Sequence, residues 1–242
     1  LTWITLKSGK LASAAYPGII TALKRMGIKV IPIESSASLP APVQTHADML
    51  CHSLGGQRVV IAKGEERIVK NLKQFGFQII ESVSSIAGSY PNDSGLNAAR
   101  VGSKLIANPQ ILDKAIWDDC LSKGIKIIEV RQGYTKCSTA VVDEHSIITS
   151  DDGIATGAFN AGLEVLKIQP GHIRLPGYSY GFIGGACGLI GRNRMGFAGS
   201  PNSHPDFCRI KEFLDRRKIE IITLSNDSLL DIGGMIPLTE RE

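Results

Sequence analysis

The sequence predicts an α/β fold in which five small ββαβ units stand around a pseudo-fivefold axis as a propeller. Three observations predict it. The stretch from Leu23 to Glu34, LKRMGIKVIPIE, reads as the last turns of an amphipathic helix, a glycine that lets the chain leave it, and a strand of alternating and β-branched apolar residues. The same pattern returns as LKQFGFQIIES from Leu72, CLSKGIKIIEV from Cys120, AFNAGLEVLKIQ from Ala158 and LDRRKIEIITLS from Leu214, with copies roughly fifty residues apart. Finally, a small sheet with one helix cannot bury its apolar face alone, so the five units must pack together. Strands inward and helices outward leave polar strand and loop residues at the centre.

The turn residue of the pattern is Gly27, Gly76, Gly124 and Gly162 in the first four units and Lys218 in the fifth. The units run approximately over 1–36, 46–84, 93–131, 135–170 and 178–225 of a single domain, and 226–242 is left over. In the first unit TWITLK and KLASAA read as strands about a Ser8-Gly9 turn, Pro17 suits a first helical position, and KVIPIE is a strand. The second opens with HADMLCHSLGG, read as a strand, followed by QRVVIA and the helix GEERIVKNLKQF, whose early Glu65 and Glu66 and late Lys70 and Lys73 suit the helix dipole. The third has the loop SYPNDSG, then GLNAARVG and SKLIA, with Asn108 and Pro109 as expected N-cap and N1 of the next helix. The fourth has KCSTAVVD and SIITS, with Asp151 and Asp152 at a helix start, and the fifth YGFIGGACGLIG, RMGFAGS and the helix DFCRIKEFLDRR. In a ring, the remaining SLLDIGGMIPL is free to pair beside the first unit and close it.

At 242 residues, 43% hydrophobic and 21% charged, the chain is long enough for a sizeable core. Its net charge of +4 comes from Lys and Arg scattered among Asp and Glu, which argues against a nucleic-acid partner. No apolar run reaches membrane-spanning length, and LTWITLKSGK lacks the order of a signal peptide, so a cytoplasmic location is expected, although the first residue is not Met. Five cysteines, Cys51, Cys120, Cys137, Cys187 and Cys208, include no C-x-x-C pair, and reduced thiols are the simplest reading.

Through this repeat order, over essentially the whole chain, the sequence resembles the pentein fold of the guanidine-modifying enzymes, as a divergent member. The resemblance also reaches a non-catalytic ribosome anti-association factor, so the fold does not decide between enzyme and binder. For the deiminases it implies a nucleophilic Cys on a C-terminal glycine-rich segment, a His-x-Asp on the first strand of the fourth unit, and acidic residues in the second and third. This chain departs from that pattern: Met235, Ile236 and Pro237 follow Gly233-Gly234, and the fourth unit begins Thr135-Lys136-Cys137-Ser138. Its His-x-Asp is His46-Ala47-Asp48, in the second unit.

On a strand, His46, Asp48 and His52 share one face, which would put two imidazoles and a carboxylate on the pore, against a reading as a strand-end His and Asp that cap a loop. A carboxylate near His46 would orient it as a general base. Metal ligation by the three is chemically open, but strand alternation alone produces that spacing, so no metal and no cofactor are implied. Cys137 beside Lys136 is the candidate nucleophile, against a reading as a small core residue. Cys187, between glycines in GGACG, is the alternative, while Cys120 and Cys208 fall on helices as core. Among Asn92, Asp93, Asn97 and Arg100, Asp93 best matches the family's guanidinium-binding carboxylate, with an Asx-turn as the competing reading. Asp231 is a further pore candidate, and Asp143, Asp151 and Asp152 read as turn and helix-start residues.

The sequence therefore supports two readings. In one, a cysteine-dependent hydrolase binds a small guanidino or amide-bearing molecule in its central pore, with Cys137 as nucleophile, His46 as base, and Asp48, Asp93, Asn97 and Lys136 as substrate-binding residues. In the other, a non-catalytic pentein binds a ligand or macromolecular partner. The oligomeric state is not encoded in any pattern we recognise.

Overall fold

The computed structural model describes residues 8–240. The first unit is β1 (Ser8–Ser13), α1 (Pro17–Arg25) and β2 (Lys29–Ile33). The second is α2 (Ala47–Leu50), β3 (Cys51–Gly55), β4 (Arg58–Ile61), α3 (Glu66–Lys73) and β5 (Gln78–Glu81). The third is β6 (Ala99–Val101), β7 (Lys104–Ala107), α4 (Lys114–Lys123) and β8 (Lys126–Glu129). The fourth is α5 (Thr135–Ser138), β9 (Thr139–Val141), β10 (Ser146–Thr149), α6 (Asp152–Asn160) and β11 (Glu164–Lys167). The fifth is α7 (Ile183–Ala186), β12 (Cys187–Gly191), β13 (Arg194–Phe197), α8 (Phe207–Asp215) and β14 (Glu220–Thr223), and β15 (Ile236–Glu240) follows.

These strands form five three-stranded sheets. In units two to five the middle strand pairs antiparallel with the first strand and parallel with the third. The first sheet has the same plan, but its innermost strand is β15, which pairs antiparallel with β1, Leu11 opposite Ile236 and Lys10 opposite Pro237. The C-terminal segment thus completes the first blade of a five-bladed ββαβ propeller.

One corner joins helix to third strand in all five blades. Gly27, Gly76, Gly124, Gly162 and Lys218 all have left-handed backbone, with φ between 57 and 80°. In each, the amide one residue further on reaches back to a helical carbonyl: Ile28 to Leu23, Phe77 to Leu72, Ile125 to Cys120, Leu163 to Ala158 and Ile219 to Leu214. This is a helix C-cap that glycine reaches without a steric penalty, and Lys218 is the one described non-glycine residue with positive φ. Each helix buries a matching i, i+4 pair against its sheet, Ile19 and Leu23, Ile68 and Leu72, Ile116 and Cys120, Ile154 and Ala158, Ile210 and Leu214. Burying such aliphatic side chains contributes about 1.5–3 kcal/mol each, which is what the isolated blade could not retain.

Several local expectations are corrected. TWITLK lies outside the described residues, and Ser8-Gly9 belongs to β1 rather than to a turn. The third helix starts at Lys114, not after Asn108 and Pro109, because Asp113 caps it, accepting from the Ala115 amide at 2.9 Å. The same Asp113 carboxylate accepts the Val83 and Ser84 amides, which a residue at position 108 does not do. Cys208 is exposed, since α8 turns Ile210, Phe213 and Leu214 inward. Among the described residues no helix is long and apolar enough to cross a membrane.

Candidate active site

The centre of the propeller is made by the short turns that deliver the chain into each innermost strand. They are α2, the turn before β6, α5, α7, and the turn 231–235 before β15. The first and third contradict a strand reading of HADMLC and TKCS: alternate residues there wind on one helical turn, so the face shared by His46, Asp48 and His52 does not exist. Each turn bonds to its neighbours. The Asp48 amide donates to the Gly233 carbonyl at 3.3 Å, and the Asn97 side chain donates to the Asp48 carbonyl at 3.0 Å. The Thr135 amide donates to the Asn97 carbonyl at 3.2 Å, the Lys136 ammonium to the Gly184 carbonyl at 3.2 Å, and the Ile232 and Gly234 amides to the Gly185 carbonyl at 3.0 and 2.8 Å. The result is a closed ring. His46, Tyr134, Cys137, Phe182 and Asp231, ahead of or on the turns, line one cavity, and residues of the innermost strands, together with Lys136 and Met235, line another.

The first cavity, about 250 Å³, collects Cys137, His46, Asp93, Tyr134 and Asp231, with Phe182, Tyr178 and Tyr180 at its mouth. Glycines make room for the polar groups. A side chain on Gly185 would overlap the Asp231 carboxylate, and one on Gly233 would overlap His46. Asp231 is 1% exposed and accepts the Phe182 and Gly233 amides at 2.9 and 3.0 Å. Burial raises its pKa, His46 opposes that rise and Asp48 adds to it. Asp93 accepts the Tyr134 hydroxyl through both oxygens, at 3.0 and 2.9 Å. Burial lifts the Asp93 carboxyl too, with the Tyr134 bond opposing, and the phenol is lifted by burial and by Asp93.

Cys137 stands between units. Its thiol donates to Asp48 Oδ2 at 3.0 Å and accepts from Asn97 Nδ2 at 2.9 Å. Burial, then the Asp48 and Asp231 charges, push the thiol well above its usual range, and only the Asn97 bond favours thiolate. His46 Nδ1 lies 3.8 Å from Asp231 Oδ1, an ion-pair distance and not a hydrogen bond. His46 Nε2 and Asp48 Oδ1 are buried with no protein partner, and groups left so are costly unless a ligand or water meets them.

Of the residues singled out in the sequence, Cys137, His46 and Asp93 line this cavity, and Asp48 sits behind Cys137. Asn97 is fully engaged: its Oδ1 accepts the Lys136 and Cys137 amides at 2.8 and 3.1 Å, so it positions the sulfur rather than lining the cavity. Lys136 and Cys187 lie on the other side of the ring, with His52. The Lys136 charge therefore acts on Cys187, whose burial holds its thiol at about 12, and the Cys187 thiol donates to the Ile183 carbonyl at 3.1 Å. Tyr134 and the aromatic mouth were not anticipated. The usable signal was register: Tyr134 and Phe182 precede their turns as His46 precedes its own, and Asp231 opens the last turn. Among the described residues no three His, Cys, Asp or Glu side chains are grouped to hold a metal ion.

Residues 11–236 match the model of a family described as "Family of unknown function (DUF6873)". No curated protein matches the sequence. Solved structures share the fold at low identity. DDAH from Pseudomonas aeruginosa, a cysteine-to-serine mutant complexed with citrulline, is 11% identical with a TM-score of 0.59, over 97% of this chain and 100% of that one. An amidinotransferase from Microseira wollei in the saxitoxin biosynthetic pathway is 10% identical, TM-score 0.58, over 99% and 96%. The C. jejuni agmatine deiminase is 10% identical, TM-score 0.55, over 95% and 92%.

Proposed function

The chain belongs to the family described as "Family of unknown function (DUF6873)" and has the pentein fold, and from that premise we propose that it is a cysteine-dependent hydrolase acting on a small cation with a guanidino or amide group. One observation carries the reading. A thiol, an imidazole with a partnerless nitrogen and the carboxylates Asp93 and Asp231, with Asp48 behind the thiol, surround one cavity that no described Lys or Arg lines. Buried carboxyl groups with no Lys or Arg lining their cavity, and with His46 the one cationic group beside Asp231, favour a cationic guest, and a planar cation with paired N–H groups satisfies them best. That a deiminase of agmatine and an amidinotransferase share the fold supports a guanidino or amidino target.

In this reading the bound cation opposes the burial and the Asp48 and Asp231 charges that keep Cys137 protonated, so the thiolate forms as the substrate arrives. The proton passes to His46. The sulfur attacks the planar carbon, the amine leaves with the proton from His46, and water, deprotonated by His46, cleaves the C–S bond and restores the thiol. Asp93, held by Tyr134, and Asp231 orient the cation, and Asn97 fixes the sulfur. A screen of guanidino and amide compounds for ammonia or amine release tests the assignment. Cys137→Ala is expected to lower turnover roughly a thousandfold or more, and a variant with unchanged turnover overturns it.

The protonated state of the free Cys137 thiol favours a second reading, a non-catalytic pentein that binds a ligand. Iodoacetamide labelling separates the two. Faster alkylation of Cys137 in the presence of a bound guanidinium supports the enzyme, and slow alkylation with and without it supports the binder.

A further inference from the structure

The cavity on the other side of the ring has the opposite chemistry. Its volume is about 340 Å³, and its lining includes Arg100, Lys136 and His52 but no Asp or Glu among the described residues. Arg100 sits at the exposed mouth, where its Nε donates to the Gly102 carbonyl and its terminal nitrogens have no carboxylate partner among the described residues. Lys136 lines the same cavity and, like Arg100, acts on His52; among the described residues its ammonium has one acceptor, the neutral Gly184 carbonyl, for three donor hydrogens. The remaining wall is apolar, with Leu54, Leu96, Leu189 and Met235.

Among the described residues the acids nearest the cavity are Glu144, exposed and packed against Gly102 at the rim, and Asp119. Asp119, the acid that acts on His52, is already paired with Arg58 and with Lys123, the latter at 2.8 Å. Cys51 and Cys187 share the wall, and burial raises both thiols, so neither is an anion. His52 is held neutral by burial, its pKa pulled down to about 4, with Arg100 and Lys136 pushing the same way. Lys136, in a partly dry and apolar-walled space, therefore has no acidic side chain beside it among the described lining residues, and Arg100 adds a second cation at the solvent-facing rim.

We infer that this second cavity is a binding site for a small organic anion, a carboxylate with an apolar body, whose head group meets Lys136 and Arg100 and whose body lies along the leucines. It is separated from the Cys137 cavity by the ring of turns and does not depend on the reaction proposed there. A site of this volume accommodates a ligand of several carbons, and each charge-assisted contact is worth about a factor of ten or more in affinity.

Titration calorimetry of the full chain at pH 7 tests the site with three probes: hexanoate, 1-hexanol and inorganic phosphate. Hexanoate is expected to bind with a Kd of about 1 mM or tighter, and the uncharged alcohol and the tail-less anion about tenfold or more weakly. Arg100→Met, at a solvent-facing position, is expected to weaken hexanoate about tenfold, and Lys136→Met at least as much. Tyr134→Phe, on the opposite side of the ring, is expected to leave hexanoate binding unchanged. The inference is overturned if hexanoate gives no binding heat at about 10 mM, if hexanol or phosphate binds as tightly, or if Arg100→Met binds hexanoate like the parent chain. A loss on Tyr134→Phe equal to that of Arg100→Met also overturns it, because it would place the anion in the other cavity.

Discussion

The five outer corners and the five inner turns are made by the same repeat, yet they have been treated differently. At the corners the backbone is left-handed in every blade and the same amide reaches the same carbonyl, from Ile28 in the first blade to Ile219 in the fifth. At the hub the equivalent turns carry His46 and Asp48, Asn97, Lys136 and Cys137, Gly184 and Gly185, and Asp231 and Gly233. No two are alike, and they hold each other through side chains as often as through backbone. A corner needs only a helix end, so it tolerates repetition. The hub must point different groups at two cavities, so each turn is specialised.

The contrast is broken most severely at Gly233. Its φ is 75°, and a side chain there would also overlap His46. Gly233→Ala combines left-handed strain with overpacking and is expected to cost about 4 kcal/mol, read as a drop in the denaturation midpoint with an unchanged m-value. Gly124→Ala, at a corner with a similar φ of 64° but open space around the new methyl, is expected to cost only about 1–2 kcal/mol. Equal losses at the two sites would mean that backbone strain alone separates them from tolerant positions, and the hub would lose its special status.

The two sides of the hub also differ in the sign of their pH response. His52 has its pKa lowered from 6.5 to about 4, chiefly by burial. Between those values the unfolded chain takes up a proton that the folded chain refuses, so its contribution is full above pH 6.5 and is lost as pH falls toward 4. The loss is about 3 kcal/mol, and His52→Leu is expected to remove that share of the acid sensitivity in chemical denaturation at pH 7 and 4.5. Asp231, raised by burial, does the reverse: its contribution is present at low pH and lost as pH rises through its folded value. Asp231→Asn should therefore gain on the parent chain as pH increases. Parallel slopes for the two variants would contradict the burial of both groups in their neutral forms.

A smaller effect is expected at Asn97. Its amide joins the Asp48 carbonyl, the Cys137 sulfur and the amides of Lys136 and Cys137. Asn97→Ala leaves those amides and that carbonyl unmatched at a cost of about 2 kcal/mol. It also removes the one interaction that favours the Cys137 thiolate, so iodoacetamide labelling of Cys137 should slow.

The difference between corner and hub also explains what could be read in the sequence. The pattern LKRMGIKVIPIE is local: helix period, glycine and strand period lie within twelve residues, and the five turn residues found from it are the five with the same left-handed cap. The pairing of the tail with β1 followed from counting strands. The hub has no local signature. HADMLC alternates in polarity as a strand would, yet it forms a helical turn, because Asp48 and Cys137, far apart in sequence, must meet across the ring. Lys136 and Cys137 are adjacent in the chain but serve opposite cavities, and no periodicity argument separates them. Asp231 was legible only as an acid two residues before a glycine pair, and the reason for those glycines is a clash that only the assembled ring reveals.

The smallest effect belongs to the one corner that departs from its siblings. Lys218 occupies with φ 57° a position that four blades give to glycine. For a residue with a Cβ this conformation costs about 1–2 kcal/mol, whereas glycine adopts it freely but loses about 0.5–1 kcal/mol more in ordering the unfolded chain. The balance favours glycine, and Lys218→Gly is expected to stabilise the protein by about 0.5 kcal/mol, a gain of a degree or so in melting temperature. The substitution removes no described hydrogen bond of the lysine side chain, since the corner is held by the backbone of Lys218 and Ile219. A destabilised variant would mean that the fifth corner is retained for its side chain and is specialised as the hub turns are.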